Sequence, residues 1–194
     1  MAVPSSVCVY CGSSARVNDV YKEAARRLGT GLGQAGIQLV YGGGRVGLMG
    51  LLADAALAAG GRVVGIIPGH LQALEVDHSG LHELVVVESM HERKRMMVDR
   101  SDAFVVLPGG LGTLDEAFEV VTWKQLRLHD KPVLIADIAG YWRPLLDLLR
   151  HIDGEGFVSG GHSRLIEVVD GVDDVMARLG HLPPPATPTD SRAM

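Results

Sequence analysis

The chain has 194 residues, of which 47% are hydrophobic and 21% charged, and its net charge is −5. This composition excludes a chain that is disordered throughout, because it offers enough apolar surface for a core. The negative charge gives no support to nucleic-acid binding by bulk charge. Apolar runs stay below the ~18 residues of a membrane span, and the opening MAVPSSVCVY lacks the basic and apolar regions of a signal peptide. We therefore expect a soluble, cytoplasmic protein that binds neither nucleic acid nor membrane.

Apolar runs and amphipathic stretches alternate along the chain, which predicts strands and helices in turn. The predicted strands are VCVY, IQLVY, RVVGIIP, LVVV, AFVVL and KPVLIAD. The predicted helices run from a cap at Asn18 or Asp19 to about Ala35, from Gly47 to Ala59, over MHERKRMMVDRS, over TLDEAFEVVTWKQLRLH, over YWRPLLDLLRHI, and from Val172 to Leu179.

The strands are apolar throughout instead of alternating, which is typical of a parallel sheet covered by helices on both faces. We predict an α/β fold with a Rossmann-like, doubly wound parallel sheet flanked by helices. Residues 1–180 are expected to form one nucleotide-binding domain, and the Pro-rich residues 181–194 a disordered tail.

Two short patterns suggest redox or metal chemistry. Cys8 and Cys11 form a C-x-x-C pair, but residues three apart on a strand face opposite sides of a sheet, and no second cysteine pair completes a zinc site. His78 and His82 are four residues apart, but Gly80 lies between them and no third ligand is evident. We therefore predict no metal site and no cofactor.

Three loops rich in glycine or serine follow predicted strands, where parallel sheets bind their ligands. They are CGSS (11–14), YGGGRVGLMG (41–50) and PGGLGTLDE (108–116). Glycine lets backbone N–H groups approach an anion, and a helix N-terminus adds partial positive charge, so the pattern predicts a phosphate site.

The type of phosphate ligand follows from what the loops lack. Gly42, Gly44 and Gly47 fit G-x-G-x-x-G, but the next strand ends in Pro68 and not in the acid that holds an NAD ribose. No loop ends in the Gly-Lys-Ser/Thr of an ATPase. A mononucleotide or a phosphosugar fits better.

Charged residues flank the third loop. Glu116 lies within a turn of the predicted phosphate site, so it is expected to face another part of the ligand. Arg93 and Lys94 offer basic partners from the preceding helix, although HERKR is also typical of a solvated charged surface. Phosphate loops with a carboxylate and an arginine suit cleavage of a glycosidic bond.

The segments CGSS, YGGGRVGLMG, SMHERK and PGGLGTLDE, with VVTWKQL after them, closely resemble the LOG (Lonely Guy) family over residues 7 to 180. That family comprises cytokinin riboside 5′-monophosphate phosphoribohydrolases, also labelled lysine decarboxylases. The resemblance implies hydrolysis of the N-glycosidic bond of a nucleoside 5′-monophosphate, giving a free base (a cytokinin or adenine) and ribose 5-phosphate. It also implies a homodimer with the pocket near the interface.

Carried over by position, the resemblance places the catalytic pair on Arg93 and Glu116. Glu116 would act on the ribose and the attacking water, while Arg93 would position the ligand and balance charge. The substrate-binding positions that it implies are Ser13, Ser14, Gly43, Gly44, Glu75, Met90, Lys94, Gly109, Gly110, Leu111, Gly112, Thr113 and Thr122.

Alternatives to this hydrolase remain. Decarboxylation with pyridoxal phosphate is disfavoured, because no lysine of the chain lies in a recognisable cofactor context. One alternative is a non-catalytic carrier of nucleotides or a molybdopterin cofactor with the same fold; the pair Arg93 and Glu116, which a carrier does not need, favours the enzyme. Another is a broad nucleosidase for purine or pyrimidine monophosphates, which the sequence does not separate from a cytokinin-selective one.

Overall fold

The computed structural model describes residues 3–71, 80–158 and 160–182. The strands are β1 (Ser6–Tyr10), β2 (Gln38–Tyr41), β3 (Val63–Pro68), β4 (Glu83–Val87), β5 (Ala103–Val106), β6 (Val133–Ala136) and β7 (Glu167–Val169). The α-helices are α1 (Asp19–Gln34), α2 (Gly47–Ala58), α3 (Met90–Asp99), α4 (Leu111–Gln125), α5 (Arg143–Gly154) and α6 (Gly171–Leu179). Short 3₁₀ helices cover Gly69–Leu71, Ile138–Gly140 and His162–Arg164.

All of these strands are parallel and belong to one sheet, in the order β4-β3-β2-β1-β5-β6-β7. This confirms the predicted Rossmann-like, doubly wound sheet. The chain moves outward from β1 to β4 and then returns to the other side of β1, where β5 pairs with it from Val7↔Ala103 to Tyr10↔Val106. The strand order therefore reverses between β1 and β5, and a crevice opens beyond their carboxyl ends.

The central strands of the sheet are buried on both faces, as their apolar sequences predict. Val7 and Val9 of β1 face a core formed with α1, α2 and α6. Cys8 and Tyr10 face a second core, formed with α3, α4 and α5. Alternate residues of one strand thus fill different cores.

The two cysteines lie on opposite sides of the sheet, as the spacing predicts. Cys8 belongs to the core beneath α3, α4 and α5, and Cys11 to the core beneath α1 and α2. Both thiols are free and buried, and burial raises the pKa of each far above its ordinary value. The thiolate that redox or metal chemistry needs is therefore strongly disfavoured at both positions.

Several elements differ from the prediction. The helix predicted from Thr113 to His129 begins at Leu111 and ends at Gln125. The helix predicted from Tyr141 begins at Arg143, after a 3₁₀ turn. A seventh strand, β7, was missed, because three residues carry no periodic pattern and its pairing with β6 is a tertiary contact.

Several predictions fall partly or wholly outside the described residues, among them the interpretation of His78 and His82, of which the structure describes only His82. Glu75 lies in the range 72–79, outside the described residues. The predicted tail, 181–194, also lies outside them except for residues 181 and 182. Within the described ranges, no helix combines the length and the apolar character needed to cross a bilayer.

A testable consequence concerns the crossing of α1 and α2. A Cβ added to Gly29 would lie 2.2 Å from the Leu52 carbonyl oxygen, so Gly29→Ala must push the helices apart. We expect the free energy of unfolding to fall by about 1–3 kcal/mol, the usual cost of overpacking. Urea denaturation measures this, with Gly154→Ala as the matched control, since a Cβ there meets no atom within 4 Å. Equal stability of the two variants would contradict the close crossing.

Candidate functional site

Three loops meet in the crevice beyond β1 and β5. The Gly12 N–H, after β1, donates to the Pro108 carbonyl oxygen after β5, at 3.1 Å. The Gly12 carbonyl accepts from the N–H of Leu48 in the first turn of α2, at 3.0 Å. A Cβ at Gly47, whose φ is +69°, would lie 2.3 Å from the Ser13 carbonyl carbon, so the CGSS loop rests directly on the start of α2. The structure thus brings together the three loops singled out in the sequence.

The N-terminus of α4 offers backbone donors to an anion. Gly110 precedes the helix and provides no side-chain cap. The first helical hydrogen bond runs from the Leu114 N–H to the Gly110 carbonyl at 3.0 Å, so the preceding amides have no partner within the helix. A Cβ at Gly110 or Gly112 would meet nothing within 4 Å, which leaves space for a ligand. The site can therefore hold a phosphate.

Thr113 and Gly109 pack together beneath this terminus. Thr113 is buried, and a Cβ at Gly109 would lie 2.0 Å from its Oγ1 atom. The hydroxyl of Thr113 is thereby held against the glycine loop. Leu111, by contrast, is 86% exposed, so its contribution to the loop is its backbone.

Arg93 binds the ends of two strands. α3 begins after Ser89, whose Oγ accepts from the Glu92 N–H at 3.1 Å. From the first turn, the Arg93 Nε donates to the Ile66 carbonyl in β3 at 3.1 Å, and Nη2 donates to the Gly42 carbonyl after β2 at 3.0 Å. A Cβ at Gly42 would lie 2.1 Å from Nη2, so this approach requires glycine. The guanidinium, only 4% exposed, is a buried positive charge at the crevice.

Glu116 lies half-buried in the second turn of α4. Burial raises the pKa of Cys8, the charge of Glu116 raises it further, and the charge of Arg93 lowers it. The Glu116 charge also raises the pKa of Cys11. Both members of the predicted catalytic pair are therefore close enough to influence the same end of β1.

Lys94 fastens α3 to α4. Its Nζ atom lies 2.8 Å from the Glu119 Oε2 and 3.0 Å from the Asp115 Oδ2. Burial lowers the pKa of Lys94, but the hydrogen bonds and charges of these two carboxylates outweigh it, so the pKa is raised. Lys94 thus holds Arg93, its neighbour in sequence, beside the turn that carries Glu116. The role of Lys94 in substrate contact stays a prediction, and its pairing with acids of α4 agrees with the basic partnership that the sequence indicated.

The other predicted positions are spread more widely. Ser14 is exposed, and its Oγ accepts from the Arg16 N–H at 3.2 Å. Gly43, with φ +79°, and Gly44 are buried in the loop after β2. The Met90 Sδ lies 3.8 Å from the Arg93 Nη1. In the described part of the chain, no three His, Cys, Asp or Glu residues are grouped so as to hold a metal ion.

Thr122 is separated from these groups. It is exposed and lies six residues after Glu116 on α4, which corresponds to about 9 Å along the helix and about 120° around it. Within one copy of the chain, the structure therefore does not bring Thr122 to the glycine loop.

Tyr141 belongs to the site and was missed. Its hydroxyl donates to the Gly109 carbonyl oxygen at 2.7 Å. The sequence carries no signal for this contact, because 32 residues separate the partners and an aromatic residue before a helix is usual.

Comparison with known proteins finds one matching family model and several relatives whose names describe the same activity. The family model described as "Possible lysine decarboxylase" matches residues 49–179. A probable cytokinin riboside 5′-monophosphate phosphoribohydrolase of Oryza sativa subsp. japonica is 45% identical over 188 residues, which are 97% of this chain and 76% of the relative. A cytokinin riboside 5′-monophosphate phosphoribohydrolase of Rhodococcoides fascians is 44% identical over 91% of this chain and 89% of its own length. One of Arabidopsis thaliana is 43% identical over 89% and 81%.

Solved structures share the fold at lower identity. The molybdenum cofactor carrier protein of Chlamydomonas reinhardtii is 22% identical, with a TM-score of 0.69 over 89% of this chain and 93% of its own. The molybdenum cofactor binding protein of Rippkaea orientalis is 20% identical, with a TM-score of 0.66 over 91% and 95%. At such identities the likeness establishes the architecture alone.

The ion pairs of Lys94 generate a prediction. Lys94→Met leaves the partly buried Glu119 without its cation, and we expect the free energy of unfolding to fall by about 1–3 kcal/mol, between the values typical of exposed and buried pairs. Because the pKa of Lys94 is raised, the lysine is charged at both pH 7 and pH 9, and the loss should be equal at the two. Chemical denaturation measures it.

Lys22→Met is the matched control for that loss, since its partner Asp19 is almost fully exposed. A surface pair of this kind contributes about 0–1 kcal/mol. If both variants lose the same stability, Lys94 does not fasten α3 to α4.

Proposed function

The chain belongs to the family of cytokinin riboside 5′-monophosphate phosphoribohydrolases, and we propose that Glu116 and Arg93 carry its reaction. The substrate is an adenosine 5′-monophosphate, with or without an N6 substituent, and the products are the free base and ribose 5-phosphate. The enzyme is thus an N-glycosidase acting on a nucleoside monophosphate. The observation that carries the assignment is that one helix, α4, combines an uncapped N-terminus with a carboxylate in its second turn.

The 5′-phosphate binds at the start of α4. The unpartnered amides of the first turn donate to its oxygens, the helix dipole favours its charge, and the Thr113 hydroxyl adds a donor. Glu116 lies five residues after Leu111, about 7.5 Å along the axis. This separation is on the scale of one ribose, so a carboxylate that would repel the phosphate faces the sugar instead.

The bond that breaks joins the ribose C1′ to a nitrogen of the base. As it lengthens, C1′ gains positive charge, which the Glu116 carboxylate stabilises. Glu116 then accepts a proton from the attacking water, whose oxygen bonds to C1′ while the electron pair of the broken bond leaves with the base. The departing base takes up one proton and Glu116 gives up the one that it accepted, so that one water is consumed in each turnover. The buried Arg93 balances the charge of Glu116 and keeps the loop after β2 in place through Gly42.

We propose a homodimer that forms through the outer face of α4. Leu111, Phe118 and Leu126 recur at helical spacing on this face and are 86%, 41% and 63% exposed. Such an apolar stripe is typical of an interface. Thr122 lies within the same stripe, so a second copy offers the means for it to reach a substrate, in the pocket of the partner chain.

Two predictions from the sequence stand beside this proposal. The single domain over residues 1–180 and the cytoplasmic location both remain predictions. The carrier function suggested as an alternative is disfavoured, because a carrier has no use for a carboxylate placed one ribose away from the phosphate.

Release of ribose 5-phosphate tests the proposal. Purified protein is incubated with AMP and, separately, with N6-isopentenyladenosine monophosphate. We expect release from at least one of them, and a loss of about 10²–10⁴-fold in kcat for Glu116→Gln, the range for removal of a general base. The ratio of the two rates measures selectivity for the cytokinin nucleotide.

Glu23→Gln serves as the matched control, because Glu23 lies exposed on α1. Binding of ribose 5-phosphate, measured by calorimetry, should survive in Glu116→Gln. Full activity of Glu116→Gln would rule out the assigned base, and a wild-type protein that binds both nucleotides without cleaving either would favour a carrier.

A further inference from the structure

The connection between β6 and α5 is held in an unusual conformation. Ala139 has φ +53° and Gly140 has φ +75°, so two successive residues are left-handed, one of which is not glycine. This conformation is unfavourable for a residue that has a Cβ, because the Cβ approaches the following carbonyl oxygen too closely. The Trp142 N–H donates to the Asp137 Oδ1 at 2.7 Å, which closes the connection into a tight loop. Strain of this kind persists where the surrounding structure requires it, and its consequence here is the direction of the next side chain, Tyr141.

Tyr141 is braced on two sides. Its ring meets that of Tyr21 from α1 edge to face, with centroids 5.3 Å apart, and that of Trp142 at 4.8 Å. Between them, the hydroxyl is presented to the Gly109 carbonyl at 2.7 Å. The ring therefore does not depend on this hydrogen bond for its position, and the hydrogen bond acts on the glycine loop.

The direction of one carbonyl decides the direction of the next amide. Peptide bonds in the described chain are trans, so a C=O and the following N–H point in opposite directions. Because Tyr141 holds the Gly109 oxygen, the Gly110 N–H is turned away from Tyr141. Likewise, because Gly12 holds the Pro108 oxygen, the Gly109 N–H is turned away from Gly12.

The two glycines of this loop make a fixed orientation of their peptide bond necessary. Gly109 and Gly110 have no Cβ, so the peptide between them rotates more freely than any other kind. A Cβ at Gly110 would meet nothing within 4 Å, so no packing opposes rotation on that side. A flipped peptide would replace an N–H donor at the phosphate with a carbonyl oxygen, which repels it.

We propose that Tyr141 is a positioning residue for the phosphate-binding loop: its hydroxyl holds the Gly109 carbonyl away from the ligand, so that the Gly110 N–H faces the 5′-phosphate. This role rests on the proposed binding of a nucleotide phosphate at the start of α4. It assigns a function to a residue outside the glycine-rich motif, in the connection between β6 and α5.

Tyr141→Phe tests the role, since it removes the hydroxyl and keeps the ring. We expect the dissociation constant of ribose 5-phosphate, by calorimetry, and the KM of AMP each to rise about fivefold, the factor that corresponds to one neutral hydrogen bond. The dissociation constant of adenosine, which lacks the phosphate, should not change, and kcat should stay within about twofold. A merely structural role would weaken all three ligands together.

Tyr21→Phe is the matched control, because it makes the same chemical change on the adjacent ring, and we expect it to bind all three ligands as the wild type does. If Tyr141→Phe binds ribose 5-phosphate as tightly as the wild type, or loses adenosine equally, the role of Tyr141 is wrong while the proposed function stands. If the wild type itself binds neither ribose 5-phosphate nor AMP, the proposed function fails and takes this role with it.

Discussion

The site depends on the two hydrogen bonds of Gly12. A parallel sheet brings the carboxyl ends of its strands to one edge, but it does not by itself bring the following loops into contact. Gly12 does so, since its N–H binds the Pro108 carbonyl after β5 and its carbonyl binds the Leu48 N–H after β2. A Cβ here would lie 3.3 Å from the Gly109 Cα, tighter than an ordinary contact. The two helix N-termini that follow these loops, those of α2 and α4, are therefore placed relative to each other by the two hydrogen bonds of one residue.

Two adjacent cations at the start of α3, Arg93 and Lys94, hold this helix in place through different partners. Burying a charge is costly unless it is well paired. Arg93 meets the cost with backbone carbonyls of β3 and of the loop after β2, whereas Lys94 meets it with two carboxylates of α4. The first pairing fixes α3 against the sheet and the second fixes it against α4. Together they keep a buried guanidinium beside α4, the helix that carries Glu116, while Ala117 and Val120 of that helix pack into the core against the sheet.

Much of this was predictable from residue patterns. The uniformly apolar strands led to the parallel sheet, and glycine-rich loops after β1, β2 and β5 marked the edge where the crevice lies. The start of α4 was predicted two residues late, because Leu111 and Gly112 lie in a glycine-rich stretch and glycine disfavours helix. β7 was missed because a three-residue strand has no period to detect. Lys94 was predicted to be a basic partner, but the sequence does not show which carboxylates of α4 lie opposite it, and its contact with the ligand stays a prediction.

The sequence by itself determined the fold class and the edge at which a phosphate is expected, because both follow from local composition and from spacing along one element. The choice of Glu116 as the catalytic carboxylate came from the family resemblance and stays a prediction. Only the tertiary structure decided which groups meet. The contacts of Gly12 with Pro108, of Lys94 with Glu119 and of Tyr141 with Gly109 join residues that are 25 to 96 positions apart. Such pairings depend on how helices pack on the sheet. The free energy of that packing is shared among many side chains of both cores, so no single segment of the sequence specifies it.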